Sequence, residues 1–288
     1  MLSRFKYLKP HNLTEAVQYL EKEEKSFVLA GGTDLMILLR RNLINAEHIV
    51  DIKGLPEMAE FEFIDGGGLT IGASVVVNTV VDSEVVKAKY PALHQASASL
   101  ASFLLRNRAT VVGNICNASP GADLPPALLV YDAVVNIAGT QGMRQVPLHE
   151  FFTGVKRTVL QRGELVISVQ LPDPGDGDKS IYLRQARLRG HDLATVGVAS
   201  RIKPDGKVAI GICAVAPTPL RLFALEEKIN ERELNQETVE WAAEEIKQHI
   251  RPITDVRSSA QYRMQMASVL LKRGLSHLIT KEDNHGSS

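Results

Sequence analysis

The residues best suited to chemistry in this chain are two stretches of small, hydrogen-bonding side chains. In the first, the apolar run Val28, Leu29 and Ala30 ends in Gly31 and Gly32, then passes through Thr33 and Asp34 to Leu35. Glycine has no Cβ, so a diphosphate can come close to such a backbone and accept hydrogen bonds from successive N–H groups, helped by the positive end of the helix that follows. The Thr33 hydroxyl can add another. The same residues also suit a tight strand-to-helix turn with Thr33 or Asp34 as its N-cap. The pattern is neither the dinucleotide fingerprint nor the P-loop.

The second stretch spans residues 107–123 and is dense in uncharged donors and acceptors: Thr110, Asn114, Asn117 and Ser119, with Gly113 and Cys116 between them. This is the set needed to hold a ribityl chain or a ribose. Asp123 could accept from a ring or sugar, or could cap a helix beginning at Pro125 and Pro126. Two such stretches, far apart in sequence within an α/β context, point to a split nucleotide site.

The elements that must carry these loops follow from hydropathy. Leu13, Ala16, Val17 and Leu20 share one face of a helix over 13–24, with Asn12 and Glu15 in a capping-box pattern. A strand at 27–30, a helix at 35–40 and a strand at 48–52 complete a first α/β unit. Gly66 to Gly68 turn a hairpin of strands 62–64 and 69–72. Pro91 opens a helix over 92–105, closed by Arg106 and Arg108. Strands at 133–137 and 164–171 bracket a helical turn at 149–152. The run Pro172-Asp173-Pro174-Gly175-Asp176-Gly177-Asp178 then breaks the pattern. Three strands follow, 180–188, 195–202 and 208–214, as an antiparallel meander, and then helices at 236–250 and 258–279 and a loose tail at 284–288. The expected units are 1–55, 56–174 and 175–288.

Composition narrows the function. The chain has 288 residues, 44% of them hydrophobic, and its 33 basic and 33 acidic side chains cancel, so neither nucleic acid nor an anionic membrane is expected as partner. No run approaches the roughly 18 apolar residues of a membrane span, and a cytoplasmic location is expected. Cys116 and Cys213 are the only cysteines, too few for an iron–sulfur cluster held by this chain alone. The eight histidines are dispersed without an HxH or HxxxH pair, so no metal site is expected. Ser97, Ser99 and Ser102 lack the Gly-x-Ser-x-Gly elbow of a hydrolase.

Ala30-Gly31-Gly32-Thr33-Asp34-Leu35, then Gly113-Asn114 and Ser119-Pro120 with Asp123, resemble the FAD-binding subunit of the molybdenum hydroxylases, the xanthine dehydrogenase and carbon monoxide dehydrogenase family. Tyr182 to Arg187 with Asp192 and Ala194, Val215 to Arg221, and Asp255 to Arg263 extend the resemblance in order along nearly the whole chain. It implies an α+β protein: a two-part PCMH-like (vanillyl-alcohol-oxidase-type) FAD-binding domain, then a small α/β C-terminal domain with a three-stranded antiparallel sheet and helices. It implies that Val28 to Asp34 hold the FAD diphosphate. Thr110, Gly113, Asn114, Ser119 and Asp123 would line the second loop, with Cys116 as an apolar contact near the flavin and Val166 and Arg184 approaching from beyond it.

The resemblance also implies an electron outlet. Substrate is oxidised on a molybdopterin-binding large subunit, and electrons cross [2Fe-2S] clusters on a small subunit to FAD on this chain and leave to NAD+ or another acceptor. The cofactor does the redox chemistry, so no catalytic side chain is expected. Two positions depart from the family. Val112 replaces a glycine of the Thr-x-Gly-Gly-Asn pattern, where a β-branched residue at positive φ would be strained. Arg184 stands where relatives often carry lysine, keeping the charge but as a planar fork. Two other functions remain open from sequence: a cofactor-free assembly scaffold, made conceivable by Val112, and a stand-alone FAD oxidoreductase.

Overall fold

The computed structural model describes residues 4–188 and 192–280; His191, His285, Arg189 and the expected tail at 284–288 lie outside the described residues. The chain opens with strand β1 (Lys6–Leu8), helix α1 (Leu13–Lys22), β2 (Ser26–Leu29), α2 (Leu35–Arg40) and β3 (His48–Asp51). The strands form a parallel sheet in the order β1-β3-β2. The Asn12 side chain accepts from the Glu15 N–H at 2.8 Å, while the Glu15 carboxylate accepts from the His11 N–H at 2.7 Å, so the reciprocal cap reaches one residue further back than the standard box.

A short 3₁₀ turn (Pro56–Ala59) leads to β4 (Phe61–Ile64), β5 (Gly68–Gly72) and four short helices: α3 (Val77–Asp82), α4 (Glu84–Lys89), α5 (Pro91–Ser99) and α6 (Phe103–Arg106). The single helix expected over 92–105 is thus two. Ala101 takes φ 47°, Ser102 caps α6, and the Arg106 guanidinium donates to the carbonyls of Ala98 and Leu100 that the break releases. Next come α7 (Val111–Cys116), α8 (Leu124–Val130), β6 (Val134–Gly139), β7 (Gly142–Pro147), α9 (Leu148–Phe151), the short pair β8 (Phe152–Gly154) and β9 (Arg157–Thr158), and β10 (Leu165–Leu171). Five of these strands make an antiparallel sheet in the order β4-β5-β10-β6-β7.

The remaining strands are β11 (Lys179–Gln185), β12 (Val196–Ile202), β13 (Val208–Cys213) and β14 (Leu220–Arg221), followed by α10 (Phe223–Asn230), α11 (Gln236–His249) and α12 (Ala260–Thr280). The C-terminal sheet has four antiparallel strands where three were expected. The fourth, only two residues long, carries no hydropathy signal of its own.

Every residue of β12 and β13 is buried, because the sheet is covered on both faces. Alternation sorts them. Val196, Val198, Val208, Ile210 and Ile212 belong to the C-terminal core built with α10, α11 and α12, while Ala199 and Ala209 join the core of the first half. That second face is small because α8 lies against it: a Cβ on Gly211 would stand 2.3 Å from the Pro126 carbonyl oxygen. The Val130 carbonyl at the end of α8 is satisfied from the same sheet by Arg201 at 2.9 Å, and Arg221 donates to the Leu129 carbonyl, which also accepts the Asp132 N–H. Gly211→Ala should therefore destabilise the chain by about 1–3 kcal/mol through overpacking, measured by urea unfolding; an unchanged midpoint would contradict the contact.

Candidate functional site

The two small-residue stretches meet. A Cβ built on Gly31 would lie 1.9 Å from the Arg108 carbonyl oxygen, so only glycine lets the turn after β2 rest on the backbone that leads into α7. Gly32 is needed for another reason, its left-handed φ of 74°. Asp34 occupies the N-cap position of α2 but makes no side-chain capping bond, and Thr33 does not replace it. Among the described residues, the backbone N–H groups of Gly31, Gly32, Thr33 and Asp34 donate to no protein acceptor.

The second stretch is not one loop. Thr110 caps α7, its hydroxyl accepting from the Gly113 N–H at 2.9 Å, and Ala118 at φ 46° ends the helix. Val112 lies within that helix, buried, and is not among the residues at positive φ. The strain expected of a β-branched residue there does not arise, and with it goes the argument for a degenerate, cofactor-free chain.

Between the two stretches is a cavity of about 670 Å³. Val28, Ala30, Gly31, Gly32, Thr33 and Asp34 line one side, and Thr110, Gly113, Asn114, Cys116, Ser119 and Asp123 line another, with Val166 also in the wall. Val166 is placed by β10, whose pairing with β6 slips at Ile167, a bulge that re-aims the strand. Leu29 and Arg184 stand outside the wall. Strand alternation sends Leu29 to the opposite side of β2 from Val28, to pack among Leu35 and Met36. The Cys116 thiol is pushed up to about 12 by burial, as fits an apolar contact rather than a nucleophile.

Asp123 does not take the capping role open to it from sequence. It sits at the N-cap position of α8 without a capping bond, 4% exposed, and both its oxygens are engaged from β11. The Tyr182 hydroxyl donates to Oδ1 at 2.8 Å and Arg184 Nη1 to Oδ2 at 3.0 Å. Arg184 also donates to the Ser99 carbonyl at 3.0 Å and the Asp192 carbonyl at 2.9 Å, so the break after α5 gives it a seat. Burial raises the Asp123 carboxyl to about 6, against the pull of Arg184 and Tyr182. Sequence reasoning missed Lys156 and Glu164, which also line the cavity. Glu164 is held by Arg144 through two hydrogen bonds of 2.6 and 2.8 Å.

Among the described residues, one buried side-chain polar atom of the wall has no partner: Asn114 Oδ1 makes no hydrogen bond. A buried unsatisfied amide oxygen costs roughly 1–3 kcal/mol. Together with the four undonated N–H groups, it marks a surface complementary to a polar, partly anionic ligand.

Two expectations follow. Gly31→Ala should force the two stretches apart, seen as faster amide hydrogen exchange at residues 107–117; unchanged protection would contradict the backbone contact. The native state keeps the Asp123 proton through a range where the unfolded chain has released it, so this group's contribution to stability is full below about pH 4 and lost as pH rises through about 6. The advantage of wild type over Asp123→Asn in urea unfolding should accordingly shrink between pH 4 and 7 by about 1–3 kcal/mol. A gap that stays constant with pH would show an unshifted carboxyl.

Comparison with known proteins agrees with this geometry. Residues 3–174 match the FAD binding domain in molybdopterin dehydrogenase, and residues 181–278 match the CO dehydrogenase flavoprotein C-terminal domain. The chain is 30% identical over 280 residues to the xanthine dehydrogenase FAD-binding subunit of Escherichia coli O157:H7, covering 95% of each chain. It is 31% identical over 278 residues to the carbon monoxide dehydrogenase medium chain of Hydrogenophaga pseudoflava, covering 95% of this chain and 96% of that one. A solved carbon monoxide dehydrogenase from Hydrogenophaga pseudoflava superposes with a TM-score of 0.92 at 31% identity, over 97% of this chain and 99% of its counterpart. Split-site geometry, both domain matches and full-length similarity converge: the chain belongs to the FAD-binding medium subunits of the molybdenum hydroxylases, the flavoprotein component of xanthine and carbon monoxide dehydrogenase-type oxidoreductases.

Proposed function

We propose that the chain binds one FAD in the cavity between its two small-residue stretches and serves as the electron outlet of a heterotrimeric molybdenum hydroxylase. The observation that carries this reading is the wall itself: a cavity of about 670 Å³, within the usual range for cofactor sites, lined by undonated backbone N–H groups and the orphaned Asn114 Oδ1. FAD, when bound, supplies the redox chemistry, accepting electrons delivered through [2Fe-2S] clusters and releasing them to NAD+ or another acceptor.

The chain's own residues bind and orient. Within the stretch from Val28 to Asp34, the main-chain donors of Gly31 to Asp34 hold the diphosphate, with Val28 and Ala30 beside them in the wall. Thr110, Gly113, Asn114 and Ser119 serve the ribityl and flavin side, and Cys116 and Val166 give apolar contact. Asp123 is fixed in the wall by Tyr182 and Arg184. From outside the wall, Arg184 keeps a cation behind that carboxylate. Residues 1–55 and 56–174 then act as the two halves of the binding domain, and 175–288 as the unit that closes it.

Two partners complete the scheme, a molybdopterin-binding large subunit and a small [2Fe-2S] subunit; two cysteines leave this chain without the ligands for such clusters. Among the described residues no helix is long and apolar enough to cross a membrane, which accords with a cytoplasmic complex. NAD+ is the favoured acceptor, by likeness to the xanthine dehydrogenases.

The purified chain, reconstituted with FAD and freed of excess, should show the two-banded visible spectrum of a flavoprotein at about one flavin per chain. Asn114→Ala should weaken FAD binding roughly tenfold, the worth of one buried hydrogen bond. A chain that retains no flavin would remove the reading, and co-purification from its host without a molybdopterin subunit would remove the heterotrimer.

A further inference from the structure

Among the described residues, the cavity wall contains four carboxylates, Asp34, Asp123, Glu164 and Asp192, and one cation, Lys156. Three of the carboxylates are answered by arginines: Asp123 by Arg184, Glu164 by Arg144 and Asp192 by Arg187. Lys156 has no comparable ion pair among the described residues. Its ammonium donates to the neutral Asn117 Oδ1 at 2.7 Å, which leaves two of its three N–H donors.

Its position is built. Lys156 lies in the turn between β8 and β9 at φ 57°, a conformation a side chain bearing Cβ adopts only when its surroundings hold it. What holds it is the end of α7: the Lys156 N–H donates to the Ala118 carbonyl at 3.0 Å, and Asn117 takes the ammonium. The hairpin tip is thus pinned to the second stretch while its ammonium feels Asp34 of the first. Although the residue is exposed, the wall desolvates the ammonium enough to bring it below the usual lysine range, an effect Asp34 opposes. A cation that lines the same cavity as undonated N–H groups, with two donors to spare, is suited to an anion.

We propose that Lys156 supplies the positive charge that recognises the diphosphate of the bound dinucleotide, so that the site prefers FAD to flavins without a diphosphate. This rests on the assignment of the cavity to FAD. The backbone donors of the first stretch give shape and direction but carry no net charge; the lysine adds the Coulombic part, which salt weakens.

The test uses the full-length chain stripped of flavin, titrated with FAD, ADP and riboflavin and followed by fluorescence, for wild type, Lys156→Met and Lys156→Arg. Lys156→Met should bind FAD and ADP about tenfold more weakly, the loss of one charge-assisted hydrogen bond, with riboflavin unchanged. Lys156→Arg should restore most of the affinity, and added salt should weaken FAD binding more in wild type than in Lys156→Met. Undiminished FAD binding by Lys156→Met, or an equal loss for riboflavin, would overturn the proposal while leaving the FAD site intact. Wild type that binds neither FAD nor ADP would overturn the FAD reading itself.

Discussion

The site depends on one close approach of backbone to backbone. Gly31 rests on the Arg108 carbonyl so tightly that no side chain fits between, and this contact joins the turn after β2 to the start of α7. Each stretch alone is only a strand-to-helix turn or a capped helix. Together they enclose a cavity, with main-chain donors on one side and hydroxyl and amide groups on the other. The small five-stranded sheet and the three-stranded parallel sheet are the scaffolds that bring these two turns to the same place.

A second constraint closes the cavity from the far end of the chain. Asp123 is too deeply buried to be stable as a lone carboxylate, and what answers it comes from β11: the Tyr182 hydroxyl and the Arg184 guanidinium. The Tyr182 hydroxyl finds room because residue 197 is glycine, where a Cβ would stand 2.3 Å away. Truncating either partner leaves charge or polarity unpaired in the interior, so the C-terminal unit is part of the site's electrostatics and not merely a cover. The same sheet anchors α8 through Arg201 and Arg221.

Much of this was legible from residue types and spacing. The apolar run ending in Gly31 and Gly32, the glycine-turned hairpin and the C-terminal strands and helices announce themselves through periodicity and turn chemistry. The local reading faltered where tertiary contacts decide. The helix over 92–105 breaks because Arg106, downstream, can take over the released carbonyls. Val112 reads as strained in a loop of small residues, whereas the Thr110 cap makes the stretch helical. Arg184 reads as a cavity residue by resemblance, yet its partners Ser99, Asp123 and Asp192 hold it behind the wall. Lys156 was invisible, since a lysine in a short hairpin turn has no sequence signature until the end of α7 is seen beneath it.

On the proposed reading, a single dinucleotide bridges the two stretches that Gly31 and Arg108 bring into contact. A crystal structure of the chain grown with FAD tests it most directly. Continuous electron density should run from the N–H groups of Gly31 to Asp34, past Asn114, toward Cys116 and Val166. Density for FAD elsewhere on the surface, or a cavity still empty at saturating FAD, would contradict it.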